Sequence, residues 1–398
     1  MHILMISDVY FPRINGVSTS IQTFREELIA AGHQVTLVVP EYPTKYTRED
    51  GIIRIPSRGV LFDPEDRMMV YKKIIKQIPE LKKLAIDLVH IHTPFVAHYA
   101  GVQIARSLNV RCVVTYHTYF EEYLYHYIPI LPKRFLKFLA RNFSASQCKQ
   151  MDGIIVPSTA MQKTLEEYGV SAPKHIIPTG IHPQKFRQGN AAQFLERHSI
   201  PSNRPTLLNV SRIAFEKNID VLLHALQQIK IEIPDVILVL AGEGPAKKAL
   251  QKLADKLGLA EHVYFVGYLD RDSTLIDCYR CADIFVFSSC TETQGLVLLE
   301  AMAAGTPVVS VAEMGTRDIV MGCQAAMVAE NCSQHFAEQI TSLLQNPKHL
   351  KYMRAHTYQS ANQWSAKTLA EKMVSFYQNY AGPNYHIEKT EHLVNEHS

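Results

Sequence analysis

The sequence predicts an α/β chain made of two doubly wound, parallel-sheet domains facing across a cleft. Three observations carry this expectation. Short apolar, β-rich runs alternate with longer helical patterns along nearly the whole chain. At 398 residues the chain exceeds what one ordinary core serves. The alternation breaks near 178–203, where Pro178, Gly180, Pro183, Gly189 and Pro201 punctuate an interdomain connection. The expected divisions are a first domain at 1–180, a second at 181–363, a C-terminal helix at 364–381, and a polar tail at 382–398.

The chain opens on a strand, 2–6, and runs into a loop from Ser7 to Ser18. There Asn15-Gly16 makes a tight turn and Ser18 can cap the next helix. A glycine before a helix N-terminus lets backbone N–H groups approach an anion, although a plain βα loop reads the same way. Strands follow at 34–39, 52–55, 87–91 and 111–116. His117 stands at the C-terminal end of the last, where ligands gather in such sheets; a surface histidine satisfied by water fits equally. Residues 132–149 form an amphipathic helix pattern. Lys133, Arg134, Lys137 and Arg141 fall on one side, and Phe135, Phe138, Leu139 and Phe143 on the other. No acidic residue occurs between Tyr123 and Met151. Such a helix can lie on an anionic membrane, or it can simply pack its phenylalanines inward. Lys72, Lys73, Lys76, Lys82 and Lys83 read as a solvated face. Strands at 153–156 and 174–177 complete the first series.

The second series has strands at 205–210, 235–240, 262–266, 283–287, 306–310 and 325–328. After the first of these, Arg212 and Lys217 project near a helix start and suit a diphosphate; a solvated basic pair is the plainer account. Gly242-Glu243-Gly244-Pro245 lacks the third glycine of a dinucleotide fingerprint and reads as a turn. Asp270-Arg271-Asp272 precedes a helix, so Asp272 is expected to cap it rather than bind metal. Cys278 and Cys281 form a lone CxxC, better explained by helix packing than by zinc. Glu292 lies in the loop after strand 283–287. Glu300, eight positions on, lies inside an apolar helix that starts at Gly295. A charge between Leu299 and Ala301 is costly to bury unless something polar meets it.

Composition narrows the function. A net charge of +3 is too small to argue for nucleic acid. Seven scattered cysteines suggest a reducing compartment without disulfides. The start of the chain shows no signal-peptide pattern, and no apolar run approaches the ~18 residues of a membrane span. These features suggest a cytoplasmic protein.

In combination, three motifs resemble the retaining glycosyltransferases of family 4, which have the GT-B fold of two Rossmann-like domains. They are Glu292-x7-Glu300 with Leu299–Val309 around it, Ser211-Arg212 with Glu216-Lys217-Asn218, and Asn15-Gly16-Val17-Ser18. Trp364-Ser365 opening a final helix adds to the likeness, and the resemblance spans about 1–380. Thr115–Tyr123, His126-Tyr127 and Ile176–Ile181 look most like bacterial lipid glycosyltransferases of the diacylglycerol glucosyltransferase type.

The resemblance implies transfer of a hexose from a nucleotide sugar, UDP-glucose first, to a lipid at the inner membrane face. It implies that the final helix returns to the N-terminal domain, that no metal or other cofactor is needed, and that the two-carboxylate scheme of glycoside hydrolases does not apply. Arg212 and Lys217 would neutralise the leaving diphosphate, with the backbone amides of Gly16, Gly295 and Leu296 facing it. Glu300 would hold the ribose, Glu292 the donor sugar, and Gly267, Tyr268 and Leu269 the base. His117 would contact the sugar and position the acceptor, with Glu121, Tyr123 and His126 beside it. The leaving phosphate would take the acceptor proton on the same face, so that configuration is retained. Two departures bear on donor preference: Gln294 stands where the family usually has Phe, and Met314-Gly315 where many members have Gly-Gly. Alternatives are a mannosyl- or galactosyltransferase acting on phosphatidylinositol or a glycan intermediate, and a non-enzymatic sugar-nucleotide sensor or scaffold.

Overall fold

A computed structural model of the chain describes residues 1–43, 49–60, 63–117, 133–271 and 273–381. The chain divides into two compact units. One holds Met1–Pro157, Met161–Pro178 and the residues from Leu369 on; the other holds Ser158–Ala160 and Thr179–Thr368.

The first unit contains β1 (His2–Ile6), β2 (Gln34–Pro40), β3 (Ile52–Ile55), β4 (Ser57–Val60), β5 (Asp63–Met69), β6 (Leu88–Ile91), β7 (Arg111–Thr115), β8 (Gly153–Val156) and β9 (Lys174–Ile176). Seven of them form a parallel sheet in the order β3-β2-β1-β6-β7-β8-β9. β4 and β5 pair antiparallel apart from it, a hairpin the sequence did not suggest.

The second unit contains β10 (Thr206–Val210), β11 (Ile237–Ala241), β12 (Val263–Gly267), β13 (Ile284–Phe287), β14 (Val308–Ser310) and β15 (Ala326–Val328). They form a parallel sheet in the order β12-β11-β10-β13-β14-β15. Its strands read as unbroken apolar runs because both faces are covered. Leu208, Ile237, Val239, Phe285 and Phe287 enter one core, and Leu207, Leu238, Leu240, Ile284 and Val286 the other. This is the two-residue period of a strand, and each such side chain fully buried contributes about 1.5–3 kcal/mol.

In both sheets the strand order reverses at one point, between β1 and β6 and between β10 and β13. Connections on the two sides of such a switch diverge to opposite faces and leave a crevice at the carboxyl ends of the strands. The loops flanking the switches therefore decide where ligand chemistry can sit.

Helix ends differ from expectation in detail. The first helix, Gly16–Ala30, is capped by Asn15 rather than Ser18. Asn15 Oδ1 accepts from Ser18 N and Ser18 Oγ accepts from Asn15 N, both at 2.9 Å, a reciprocal box that satisfies two end groups together. The helix Thr274–Arg280 has Ser273 at its N-cap position, one residue after the expected Asp272, which lies outside the described residues. The last helix runs Ala366–Tyr380, and from Leu369 it belongs to the first unit, burying Met373, Phe376 and Tyr377. All seven cysteines are unpaired. Among the described residues no helix is long and apolar enough to cross a membrane.

Candidate functional site

In the second unit, the switch sets the loop after β10 beside the loop after β13. Lys217 comes from the first and Glu292 from the second. Lys217 Nζ lies 2.5 Å from Glu292 Oε1, in a half-buried ion pair. Ser288 Oγ donates to the carbonyls of Lys217 and Asn218 at 3.0 and 2.9 Å, so the two loops are joined through the backbone as well. Arg212 is exposed, and its guanidinium makes no hydrogen bond or ion pair among the described residues. The loop that carries it rests on the loop after β11: Ser211 N donates to Ala241 O, and Ile213 N to Glu243 O. Gly242 permits this contact. Its φ is +132°, and a Cβ there would stand 1.9 Å from Ser211 O. The expected turn at 242–245 is thus a support for Arg212. Gly242 N in turn donates to Gly267 O, so the loop carrying Gly267, exposed Tyr268 and buried Leu269 continues the same edge.

Gly295, with φ +96°, is the N-cap of the helix Leu296–Ala303. A left-handed residue there turns the chain sharply into the helix, whose first amides, including that of Leu296, have no intrahelical acceptor. One and a half turns along, Glu300 is 2% exposed. The polar group its burial demands is double: Arg271 Nη2 lies 2.5 Å from Oε1, and Tyr279 donates its hydroxyl to Oε2 at 2.7 Å. The Glu300 charge pushes the Arg271 pKa up. Burial, with that same charge beside it, pushes the Tyr279 hydroxyl well up. Sequence reading flagged Glu300 as needing a partner but not Arg271 or Tyr279.

The two family departures have local explanations. Gln294 is buried, and its amide brackets one backbone unit: Thr179 N donates to Oε1 at 2.8 Å and Nε2 donates to Thr179 O at 2.7 Å. The side chain is thus committed to the connecting segment. Met314 has φ +48°, a left-handed conformation natural for the glycine that many members carry and strained for methionine.

In the first unit, the loops at the switch bring Asp8 and Thr93 together. Asp8 accepts from Ala97 N at 3.0 Å and from Thr93 Oγ1 at 2.9 Å, capping the helix Val96–Leu108. Burial outweighs these hydrogen bonds and raises its pKa to about 6. His90 and His92, two apart, project from the same face of β6 and its extension, and their ring centroids are 4.0 Å apart. His92 Nδ1 lies 3.2 Å from His117 Nε2. Burial pushes the pKa of His90 down to about 3 and that of His117 to about 4, and lowers His92 well below its usual value. All three rings are neutral at pH 7. His92 had only its spacing from His90 as a sequence signal.

Gly16 opens the first helix, and an added Cβ would meet nothing within 4 Å. Glu121, Tyr123 and His126 lie outside the described residues, as do the side chains of Lys133, Arg134 and Lys137. The helix Lys133–Cys148 buries Ala140, Ser144, Gln147 and Cys148, while Phe138 is 60% and Leu139 40% exposed. These two apolar side chains therefore do not pack inward. Arg141, read as a membrane-facing cation, is instead engaged locally. It donates to Glu167 O at 2.6 Å and lies over the Tyr168 ring.

Comparison with known proteins bears on this arrangement. Residues 14–185 match the model described as Glycosyltransferase Family 4, and residues 191–360 the one described as Glycosyl transferases group 1. The alpha-monoglucosyldiacylglycerol synthase of Streptococcus pneumoniae is 36% identical over 319 residues, 78% of this chain and 71% of that one. The chain belongs to glycosyltransferase family 4. As a family 4 enzyme it moves a sugar from a nucleotide-sugar donor, which sets the sensor and scaffold readings aside. The Acholeplasma laidlawii protein of the same name is 29% identical, over 78% of this chain and 80% of that one. Among solved structures, Anabaena HepE in complex with UDP-glucose superposes with a TM-score of 0.73 at 16% identity, covering 95% of this family 4 chain and all of that one. The fold is GT-B.

Proposed function

We propose that this glycosyltransferase moves glucose from UDP-glucose to a diacylglycerol-type membrane lipid, with retention of configuration and without a metal. The observation that carries the reading is the 36% identity to a glucolipid synthase across most of both chains.

The site chemistry supports it. Breaking the glycosidic phosphate bond puts negative charge on the diphosphate. Lys217 and Arg212, with the amides of Gly295 and Leu296 at the helix start, supply fixed positive potential for that charge. The Gly16 backbone amide is offered to the same diphosphate. Glu292 holds Lys217 through Oε1, and its Oε2, which has no hydrogen bond among the described residues, meets the donor sugar. Glu300 uses two of its roughly four acceptor positions, and movement of Arg271 off Oε1 opens it to the ribose. Gly267, Tyr268 and Leu269 meet the base. His117 faces the sugar and the acceptor, and the acceptor also meets Glu121, Tyr123 and His126. The leaving phosphate takes the acceptor proton.

Peripheral attachment to the inner membrane face fits the exposed Phe138 and Leu139, together with exposed Phe95 and Tyr99 at the start of the helix Val96–Leu108. Gln147 donates to Pro94 O at 2.6 Å and ties the helix Lys133–Cys148 to the loop that leads into Val96–Leu108. Lys133, Arg134 and Lys137 supply attraction to anionic lipid.

The test is incubation with UDP-glucose, UDP-galactose or GDP-mannose and diacylglycerol-containing vesicles, with and without a chelator. Lipid products are read by mass and anomeric configuration. A mannolipid in place of a glucolipid would overturn the donor assignment, and inverted configuration the mechanism. Sedimentation with anionic vesicles checks attachment: the charge reversals Lys133→Glu, Arg134→Glu and Lys137→Glu should abolish it, and unchanged binding removes the membrane role.

A further inference from the structure

His90, His92 and His117 form a stack behind the ligand edge of the first unit, with Tyr377 at its far end. His90 Nδ1 lies 2.6 Å from the Tyr377 hydroxyl and its Nε2 2.7 Å from Thr115 Oγ1, so both of its nitrogens are engaged. The His92 ring lies 4.0 Å from that of His90, and His117 meets His92 edge to edge, with centroids 5.5 Å and planes 23° apart. His92 is 2% exposed. A ring held this way by neighbours can hold another in turn.

The Nδ1–Nε2 contact of 3.2 Å commits one nitrogen of each ring. Of two neutral imidazoles sharing one hydrogen bond, one donates and the other accepts. His92 Nε2 is buried, without a partner among the described residues. A buried acceptor with a spare lone pair is tolerated, whereas a buried N–H without a partner is rare. His92 therefore carries its proton on Nδ1 and donates it to His117 Nε2. His98 Nε2 is likewise buried without a partner and lines the same ~20 Å³ cavity as His92.

We propose that His92 is a positioning residue that holds His117 as the Nδ1–H tautomer, so that His117 offers its ligand a hydrogen-bond donor. The ligand-facing role of His117 rests on the function proposed above; the tautomer does not. His117 Nδ1 makes no hydrogen bond among the described residues and is the nitrogen left for a ligand. An Nδ1–H that donates to a sugar hydroxyl cannot also receive the acceptor proton, which leaves that proton to the departing phosphate.

The test is two-bond ¹H–¹⁵N correlation on the full chain with ¹⁵N-histidine, without substrate, at pH 7.5. His117 is assigned by its loss in His117→Gln. Expected in the unsubstituted protein is a protonated Nδ1 and a bare Nε2. His92→Phe should release this to a mixture or to Nε2–H. His92→Asn places an amide N–H where Nδ1 stood and should keep it. A protonated Nε2 in the unsubstituted protein, or an unchanged tautomer in His92→Phe, overturns the proposal. Should His92→Phe not fold, the unsubstituted spectrum and His92→Asn still decide it. In the transfer assay His92→Phe should lose roughly tenfold in kcat/KM, the size of one lost hydrogen bond, with His92→Asn restoring most of it. A shifted tautomer with full activity would count against the role of His117 in transfer while upholding the positioning by His92.

Discussion

Arg271→Met separates two roles that meet at Glu300. The carboxylate is 2% exposed and has two partners, Arg271 and Tyr279. Removing one partner of a fully buried ion pair costs about 3–5 kcal/mol. The Arg271 side chain, however, is 32% exposed, so water screens part of the interaction and can take the vacated place. The expected cost is then about 1–3 kcal/mol. In a unit of this size 1 kcal/mol shifts Tm by about 2–4 °C, so a fall of roughly 2–12 °C is expected by scanning calorimetry. Glu300→Gln should cost less, about 1 kcal/mol, because the released guanidinium turns to water while Tyr279 keeps an acceptor. The double variant should fall short of the sum of the two. Binding should show the reverse order. UDP titration should find Glu300→Gln weakened tenfold or more and Arg271→Met unimpaired, since Oε1 is then open to ribose. Glu300→Gln melting below Arg271→Met, or strictly additive costs, would refute the account of this pair; weaker UDP binding in Arg271→Met would refute its release on donor binding.

Lys217→Ala and Glu292→Gln should each lower kcat about 10²–10³-fold, because each acts on charge that develops in the transition state, with Tm falling by no more than a few degrees for the lost half-buried ion pair; near-full kcat in either would remove it from the site. Gly16→Ala should keep or slightly raise stability, by up to about 1 kcal/mol, since the helix gains a better former and a Cβ meets nothing. Its donor KM should rise severalfold, and an unchanged KM would mean that the Gly16 backbone does not approach the donor. Gln294→Phe should strand the buried N–H and C=O of Thr179 and cost about 2–4 kcal/mol, read by calorimetry, without switching donor preference; a switch between UDP-glucose and UDP-galactose would contradict the structural role. For Asp8, the raised carboxyl pKa means that the fold favours the protonated form. Its stabilising contribution is full below 3.8 and is lost as pH rises through about 6. At pH 7 the ionised form costs about 3 kcal/mol, so Asp8→Asn should raise Tm more at pH 7.5 than at pH 4.5. Equal gains at both pH values would rule out titration as the cause.

The parallel sheets were legible because their strands are apolar on both faces and punctuated by turns, as in Ile237–Ala241 and Ile284–Phe287. The β4–β5 hairpin was not. Arg58, Gly59, Pro64 and Arg67 give no apolar alternation to read. Lys217 and Glu292 were named separately from their loops, but their contact depends on strand order, which no local pattern carries. Glu300 announced a need by its apolar neighbours, while the residues that meet it lie 29 and 21 positions away on other elements. Gln294 showed as a departure, yet its partner Thr179 is 115 residues distant. The CxxC was correctly read as packing: Cys278 is fully buried in its helix. The helix at Lys133 had two readings. Phe138 turns outward, against the reading that packs it inward, while the exposed Arg141 is tied to the Glu167 carbonyl.

The hydroxyl behind His90 belongs to Tyr377, near the end of the chain. During synthesis the first seven-stranded sheet is complete by Ile176, yet the wall against which His90 rests is made only after the whole second unit. Phe376 and Tyr380 close over Gly153 in the same final stretch, where a Cβ would stand 2.7 Å from the Tyr380 ring. The N-terminal unit therefore cannot finish its core on the ribosome ahead of its partner unit. A product that stopped at Ser365 would carry both sheets and every proposed donor residue, yet leave His90, Met373's bed and Gly153 uncovered. The N-terminal core thus depends on side chains that are joined to it only after the whole second unit has been strung between them.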